Sequence, residues 1–357
     1  MPGYLLWWAL GAVVLVVVLG AAWGLARRGE RRHTRHRLPT RPRHAPDAPR
    51  PRAAVIVNPT KFEDPQAVRD RVRAVCAQLG WADPIWQETT IADPGTGQAE
   101  RAAQAGAEVV CALGGDGTVR AVARGLVGTT TPLGLLPGGT GNLLARNLDV
   151  PVDSVEHALA VALTGRERLV DVGRVLVDRS GEDHAPRPEM FLVMAGMGFD
   201  AAVMANAPEH LKAQMGTGAY VVSGLQNMLG PQFKVRVRVD DQPEFTRRTK
   251  TVLIGNCGRL FGGVALIPSA AVDDGILDTV LLSPKGVVGW AAVATHVITR
   301  RSRGHRLIDY VSGERVALHA DRPEQVQLDG DTLGQARALT AWVDRRALRV
   351  RVPAQSS

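Results

Sequence analysis

The chain opens with a long apolar run. Residues 4–26, YLLWWALGAVVLVVVLGAAWGLA, are 23 consecutive residues without a charged side chain. As a helix rising ~1.5 Å per residue, this run spans ~34 Å, enough to cross a ~30 Å hydrocarbon core. Tyr4, Trp7, Trp8 and Trp23 stand near its two ends, where interfacial aromatics belong. A cleaved signal peptide needs a positively charged start and a shorter apolar stretch. Here no Lys or Arg precedes the run, and ten Arg follow it within residues 27–52. The pattern predicts a retained single-pass membrane anchor over residues 1–26, with the C-terminal mass on the cytoplasmic side.

From residue 53 the pattern changes. AAVIVNP (53–59), EVVCALG (108–114) and PLGLLP (132–137) are short continuous apolar runs that predict buried strands, with a further short strand at Ile85–Trp86. Amphipathic or small-residue stretches between them predict helices over 65–80, 97–106 and 119–128. In the first, Val68, Val72, Val75, Cys76 and Leu79 share one face. Alternating strand and helix indicate a parallel sheet with helices on its faces. After Pro151 the spacing predicts one helix, over 154–165. Strands are then expected at 169–177, 191–196, 233–240, 250–256, 276–282, 315–320, 325–331 and 347–353. FKVRVRVD (233–240) alternates strictly, so one face is wet and its neighbours are antiparallel. The fold class expected is an α/β domain followed by a β-rich second domain.

Charge is concentrated rather than spread. The chain of 357 residues carries a net +8, and residues 27–52 alone hold ten Arg against Glu30 and Asp47. Residues 53–357 are therefore electrically balanced, and no nucleic-acid partner is expected. The 27–52 segment reads as a solvated Arg/Pro-rich linker that also attracts anionic lipid head groups. Cys76, Cys111 and Cys257 are far apart and odd in number. They form no disulfide framework or zinc spacing.

The chemistry is best signalled by two glycine turns, each directly after a buried strand. They are Gly114-Gly115-Asp116-Gly117-Thr118 and Pro137-Gly138-Gly139-Thr140-Gly141-Asn142. Ligands in open α/β sheets bind beyond the carboxyl ends of strands. Glycine lets backbone N–H groups approach a phosphate, and a following helix N-terminus favours negative charge. Asp116 is out of place beside phosphate unless a divalent cation or a hydroxyl donor joins them. Walker A, nucleophile-elbow and H-E-x-x-H patterns are absent.

On these turns the chain resembles the bacterial diacylglycerol kinase family of lipid kinases, relatives of sphingosine and ceramide kinases. Further matches are Val57-Asn58-Pro59, Gly196-Met197-Gly198-Phe199-Asp200, Gly255-Asn256, Gly262-Gly263, Asp273-Asp274-Gly275-Ile276-Leu277-Asp278 and Leu328-Asp329-Gly330-Asp331. The first turn alone would also suit NAD kinases; the two later acidic segments favour lipid kinases. The resemblance implies an ATP-binding domain over 53–150, a sandwich-like lipid-substrate domain over 151–338, and a last strand near 339–353 returning to the first. It assigns ATP to Gly114, Gly115, Asp116, Gly117, Thr118 and Thr140. Asn58 and a Thr after the second strand, Thr89 or Thr90, join them. It places a structural Mg²⁺ on Asp274 with the carbonyls of Ala271 and Ile276, and a cleft Mg²⁺ near Asp116.

The family's catalytic D-G-E segment reads Asp329-Gly330-Asp331 here, so the second carboxylate is one methylene shorter and the base is Asp331 or Asp329. A second departure is Arg120-Ala121, where many members carry Asn-Glu. Arg120 adds positive charge near phosphate or faces solvent. The activity implied is transfer of the γ-phosphate of ATP to diacylglycerol, giving phosphatidic acid. Kinases of other lipid alcohols, an NAD kinase-like enzyme and a weakly active lipid-binding protein are the alternatives. A homodimer is a further expectation.

Overall fold

The computed structural model describes residues 50–178, 188–198, 231–259, 265–298 and 306–354. The expected anchor (1–26) and linker (27–52) lie outside the described residues, apart from residues 50–52. Among the described residues no helix is long and apolar enough to cross a membrane.

The first half is a parallel sheet of β2 (Ile85–Glu88), β1 (Ala53–Val57), β3 (Val109–Gly114) and β4 (Leu133–Pro137), in that spatial order. β1 and β3 are buried at every position, as strands covered on both faces must be. Around them pack α1 (Pro65–Gln78), α2 (Thr96–Gln104), α3 (Asp116–Leu126), α4 (Leu143–Asn147) and α5 (Val155–Thr164). α1 starts where Asp64 accepts the N–H of Ala67 at 2.9 Å with Pro65 at the first helical position, and it buries Val68, Val72, Val75 and Cys76.

The second half is antiparallel. It comprises β5 (Arg166–Asp178), β6 (Glu189–Phe191), β7 (Met194–Gly198), β8 (Phe233–Val239), β9 (Phe245–Thr249), β10 (Thr251–Gly255), β11 (Leu277–Leu282), β12 (Ile308–Gly313), β13 (Arg315–Leu328) and β14 (Asp331–Val352), with helix α6 (Gly286–Ile298). β8 alternates buried and exposed along its whole length, as its sequence requires. The continuous backbone ladder runs β12-β11-β10-β7-β13-β14-β4-β3-β1-β2, so one sheet threads both halves. β14 makes that possible. Over 22 residues it pairs with β13, then β5, and at Val350 reaches β4 in parallel with Leu133.

Three expectations change in detail. The strand expected at 191–196 is two, β6 and β7, because the N–H groups of Leu192 and Val193 leave the ladder for the carboxylate of Asp329. The strand expected through 325–331 stops at Leu328, where Asp329 and Gly330 turn the chain. β9, β12 and α6 were not anticipated; β9 is the short polar sequence FTRRT, with only Thr249 fully buried.

Leu348 is fully buried on β14 yet belongs to the first half's core, beside Val350 and Val352. Leu348→Ala should cost about 2–5 kcal/mol. The first half should melt earlier although the change lies near the C-terminus. Urea unfolding followed through Trp81 and Trp86 fluorescence measures it, and an unchanged midpoint would contradict the assigned role of β14.

Candidate functional site

The two glycine turns sit side by side because β3 and β4 are parallel neighbours, with Gly114 paired to Pro137. Their backbones touch. Gly138 N–H donates to the Gly114 carbonyl at 3.1 Å. A Cβ on Gly138 would lie 2.7 Å from Gly114 Cα, and one on Gly139 would lie 2.9 Å from Gly115 Cα. Any side chain at these positions would force the turns apart, which explains glycine in both. Asn142, in the left-handed region at φ 47°, holds the second turn by donating to the Gly139 carbonyl at 2.7 Å. Asp116 links the turns from the first residue of α3, accepting the Leu143 N–H at 2.6 Å. No side chain caps α3, so the unpaired N–H groups of its first turn favour an anion.

These turns floor a cleft of about 1450 Å³. Asn58, Thr89, Thr90, Gly115, Asp116, Gly117, Thr118 and Thr140 all line it, together with Asp329, Gly330 and Asp331. Gly114 does not. It lies behind the turn, with Thr118 packed on its Cα face. The Thr90 hydroxyl accepts the Asp93 N–H at 3.0 Å, whereas Thr89 N–H continues the sheet by donating to Val57 O at 2.8 Å. Asn58 accepts from the Thr60 N–H and hydroxyl at 3.2 and 2.8 Å, closing a short 3-10 turn. That turn delivers Lys61, which sequence reasoning missed, to the cleft beside Gly115. No periodicity marks a residue carried by a single turn.

The Leu328–Asp331 segment enters the cleft from the second half as a two-residue hairpin. Leu328 pairs with Asp331, and Asp329 and Gly330 have φ 49° and 93°. Positive φ at both central positions is the geometry that Asp-Gly favours. The two carboxylates then separate in role. Asp329 is 4% exposed, and its oxygens accept from the N–H groups of Leu192, Val193 and Met194 at 3.0, 2.8 and 3.0 Å. Burial pushes its carboxyl upward against Arg120 and these donors. Such a group is committed largely to organising backbone. The Asp331 side chain is 53% exposed and faces the cleft.

Arg120 does not face solvent: it lines the cleft with the glycine turns and turns its guanidinium to the hairpin. It donates to the Leu328 carbonyl at 2.7 Å and to Asp331 at 2.5 Å, and lies 3.6 Å from Asp329. Burial works against its charge, and the two carboxylates outweigh that, raising its pKa. The sequence offered only the Asn-to-Arg departure as a clue.

Among the described residues no three acidic, His or Cys groups form a metal site by themselves. Asp116 nevertheless lies near Asp329 and Asp331, and one or two carboxylates plus phosphate oxygens are what Mg²⁺ typically takes. Asp274, Ala271 and Ile276 lie outside the cleft. One Asp274 oxygen accepts the Ile276 N–H at 3.0 Å, and burial with Asp278 and Asp171 pushes this carboxyl up. An all-oxygen set with excess negative charge fits a hard cation. Burial raises all three thiols, so none serves as a nucleophile at neutral pH.

Asp116 generates a test. Burial, opposed by the Leu143 hydrogen bond and reinforced by Asp329 and Asp331, raises it to about 6 from 3.8. Between these values the folded chain holds a proton that the unfolded chain has released. Stability therefore falls as pH rises through this window, and the cost persists above it. Asp116→Asn keeps an acceptor for Leu143 and removes the charge. It should stabilise the fold at pH 7.5 by on the order of 1–3 kcal/mol, with the gain fading toward pH 4. Thermal melts from pH 4 to 8 read this; a variant destabilised equally throughout would contradict it.

Comparison with known proteins agrees with the geometry. Residues 52–175 match the diacylglycerol kinase catalytic domain, and residues 193–352 match the YegS C-terminal NAD kinase beta sandwich-like domain. A Cronobacter sakazakii protein named "Probable lipid kinase YegS-like" is 32% identical over 259 residues, 71% of this chain and 80% of that protein. A Bacillus subtilis diacylglycerol kinase is 27% identical over 285 residues, 78% of this chain and 89% of that one. The crystal structure of a Bacillus anthracis diacylglycerol kinase shares the fold, with TM-score 0.63 and 20% identity over 86% of this chain and 98% of that one. Two glycine turns and an acidic hairpin lining one cleft, on a chain matched along both halves, make this protein a member of the diacylglycerol kinase/YegS family of ATP-dependent lipid kinases.

Proposed function

We propose that the chain phosphorylates diacylglycerol at the bilayer surface, with Asp331 as general base. The observation that carries this reading is the exposed Asp331 carboxylate, brought by the second half's hairpin into the cleft beside the uncapped N-terminus of α3. The first-turn amides of α3, Thr140 and Lys61 hold the β- and γ-phosphates of ATP. Asp331 accepts the proton of the lipid hydroxyl as that oxygen attacks the γ-phosphorus. The P–O bond to ADP breaks in line, and a phosphate monoester of the lipid is formed. Alignment and charge neutralisation carry most of the rate in such a transfer. Magnesium, when bound, neutralises phosphate charge, and Asp116 is the carboxylate that would meet it in the cleft. Asp274, with the Ala271 and Ile276 carbonyls, would hold a second, structural ion.

The 4–26 run supports an anchor, and the Arg-rich linker supports contact with anionic head groups. A tethered kinase meets a substrate that never leaves the bilayer, and tethering raises their mutual concentration.

Purified protein with labelled ATP, Mg²⁺ and mixed micelles of diacylglycerol, sphingosine or no lipid tests the reading, with NAD as a soluble acceptor. Diacylglycerol should be the preferred acceptor. Asp331→Asn should lower kcat about 10²–10⁴-fold with little change in the KM for ATP. Preferential turnover of sphingosine or NAD overturns the acceptor, and an Asp331→Asn enzyme keeping a third of its kcat overturns the base.

A further inference from the structure

Arg120 and the phosphate turn belong to one helix. α3 begins at Asp116, whose amide region floors the cleft, and Arg120 follows one turn later on the same face. The guanidinium is fixed independently of Asp331. Nη1 donates to the Leu328 carbonyl at 2.7 Å and lies 3.6 Å from Asp329 Oδ2. Its Nη2 is then left pointing at Asp331 Oδ2, to which it donates at 2.5 Å. The same Oδ2 rests against α3 at Gly117, where a Cβ would lie 3.0 Å away.

The pair is lopsided. The Arg120 side chain is 14% exposed and that of Asp331 53%. A planar fork held at one prong and binding with the other transmits position, which a flexible ammonium does not. Among the described residues, Oδ1 of Asp331 makes no hydrogen bond, so it remains available to a substrate proton.

We propose that Arg120 is a positioning residue for phosphoryl transfer. It pins Asp331 Oδ2 to the helix that carries the phosphate turn and so presents Oδ1 at a set distance from the γ-phosphate. Two halves of the molecule meet at this cleft, and the base and the phosphate site come from different halves. Arg120 gives them a common reference. The short Asp side chain makes this necessary, because the hairpin alone leaves the carboxylate free to rotate toward solvent. The inference rests on the lipid-kinase reading above.

The rival explanation is a plain staple between the halves. The molecule contains a comparison for it away from the cleft: Arg259 of the second half pairs with Asp149 of the first at 2.7 Å, both exposed. Steady-state kinetics with dioctanoylglycerol micelles would compare wild type, Arg120→Ala, Arg120→Lys, Asp331→Asn, Arg120→Ala/Asp331→Asn and Arg259→Ala. Arg120→Ala should lower kcat about 10–100-fold, with the KM for ATP within about threefold. Its effect should shrink to less than about threefold in the Asp331→Asn background, because the residue it positions is already disabled. Arg259→Ala should stay within about twofold of wild type. Arg120→Lys keeps the charge but cannot hold Leu328 and Asp331 together. It should recover the melting temperature without recovering kcat, and it carries the test if Arg120→Ala fails to fold.

Equal losses from Arg120→Ala in the wild-type and Asp331→Asn backgrounds overturn the proposal, as does an Arg120→Lys enzyme with wild-type kcat. Both results leave the lipid-kinase reading standing. A wild-type enzyme inactive on every lipid alcohol overturns that reading, and the role of Arg120 falls with it.

Discussion

Asp329 is a buried carboxylate on which three backbone N–H groups and one guanidinium converge. A charge so placed would be prohibitive without those donors. With them it joins three segments remote in sequence: the β6–β7 break, the β13–β14 hairpin and helix α3. The donors come from Leu192, Val193 and Met194, so the carboxylate replaces the ladder bonds that would have made one strand of residues 189–198. The left-handed φ of Asp329 and Gly330 aims the next residue, Asp331, into the cleft. Fold and site therefore share one knot. The hairpin cannot shift without exposing an uncompensated charge.

The opposite wall obeys a steric rule rather than an electrostatic one. Gly138 lies on Gly114 and Gly139 on Gly115 at backbone contact. This closeness lets the amides of two separate β-α turns face a single anion. Asp116 and Asn142 then hold the loops in register. Burial, reinforced by two other carboxylates, raises Asp116 to about 6, a cost to the folded state at neutral pH. Such locally unfavourable charge is common where a site must receive a cation or a reacting group.

Much of the first half was legible because its signals are local. Buried strands at 53–57, 109–114 and 133–137, glycine directly after two of them, and the heptad-like face of α1 each depend on neighbours a few residues away. The alternation of β8 was equally plain. What was not legible depends on long-range contact. The split of 191–196 into two strands is caused by a carboxylate more than 130 residues away. Arg120 read as solvent-facing or phosphate-facing because its partners, Leu328 and Asp331, are over 200 residues distant. Resemblance placed Asp329 and Asp331 in the site but could not divide their labour. The three N–H donors show that Asp329 is committed largely to backbone. Lys61 was missed because a single 3-10 turn carries no periodic signature.

The central claim is that glycine turns from one half and an acidic hairpin from the other form a single phosphoryl-transfer site. Hydrogen exchange with and without the non-hydrolysable analogue AMP-PNP and Mg²⁺ tests it most directly. The account predicts slowed exchange together in three peptides, covering Gly114–Thr118, Pro137–Asn142 and Leu328–Asp331, with the outer strand β9 unchanged. Protection confined to the two glycine turns, with the hairpin indifferent to nucleotide, would contradict it.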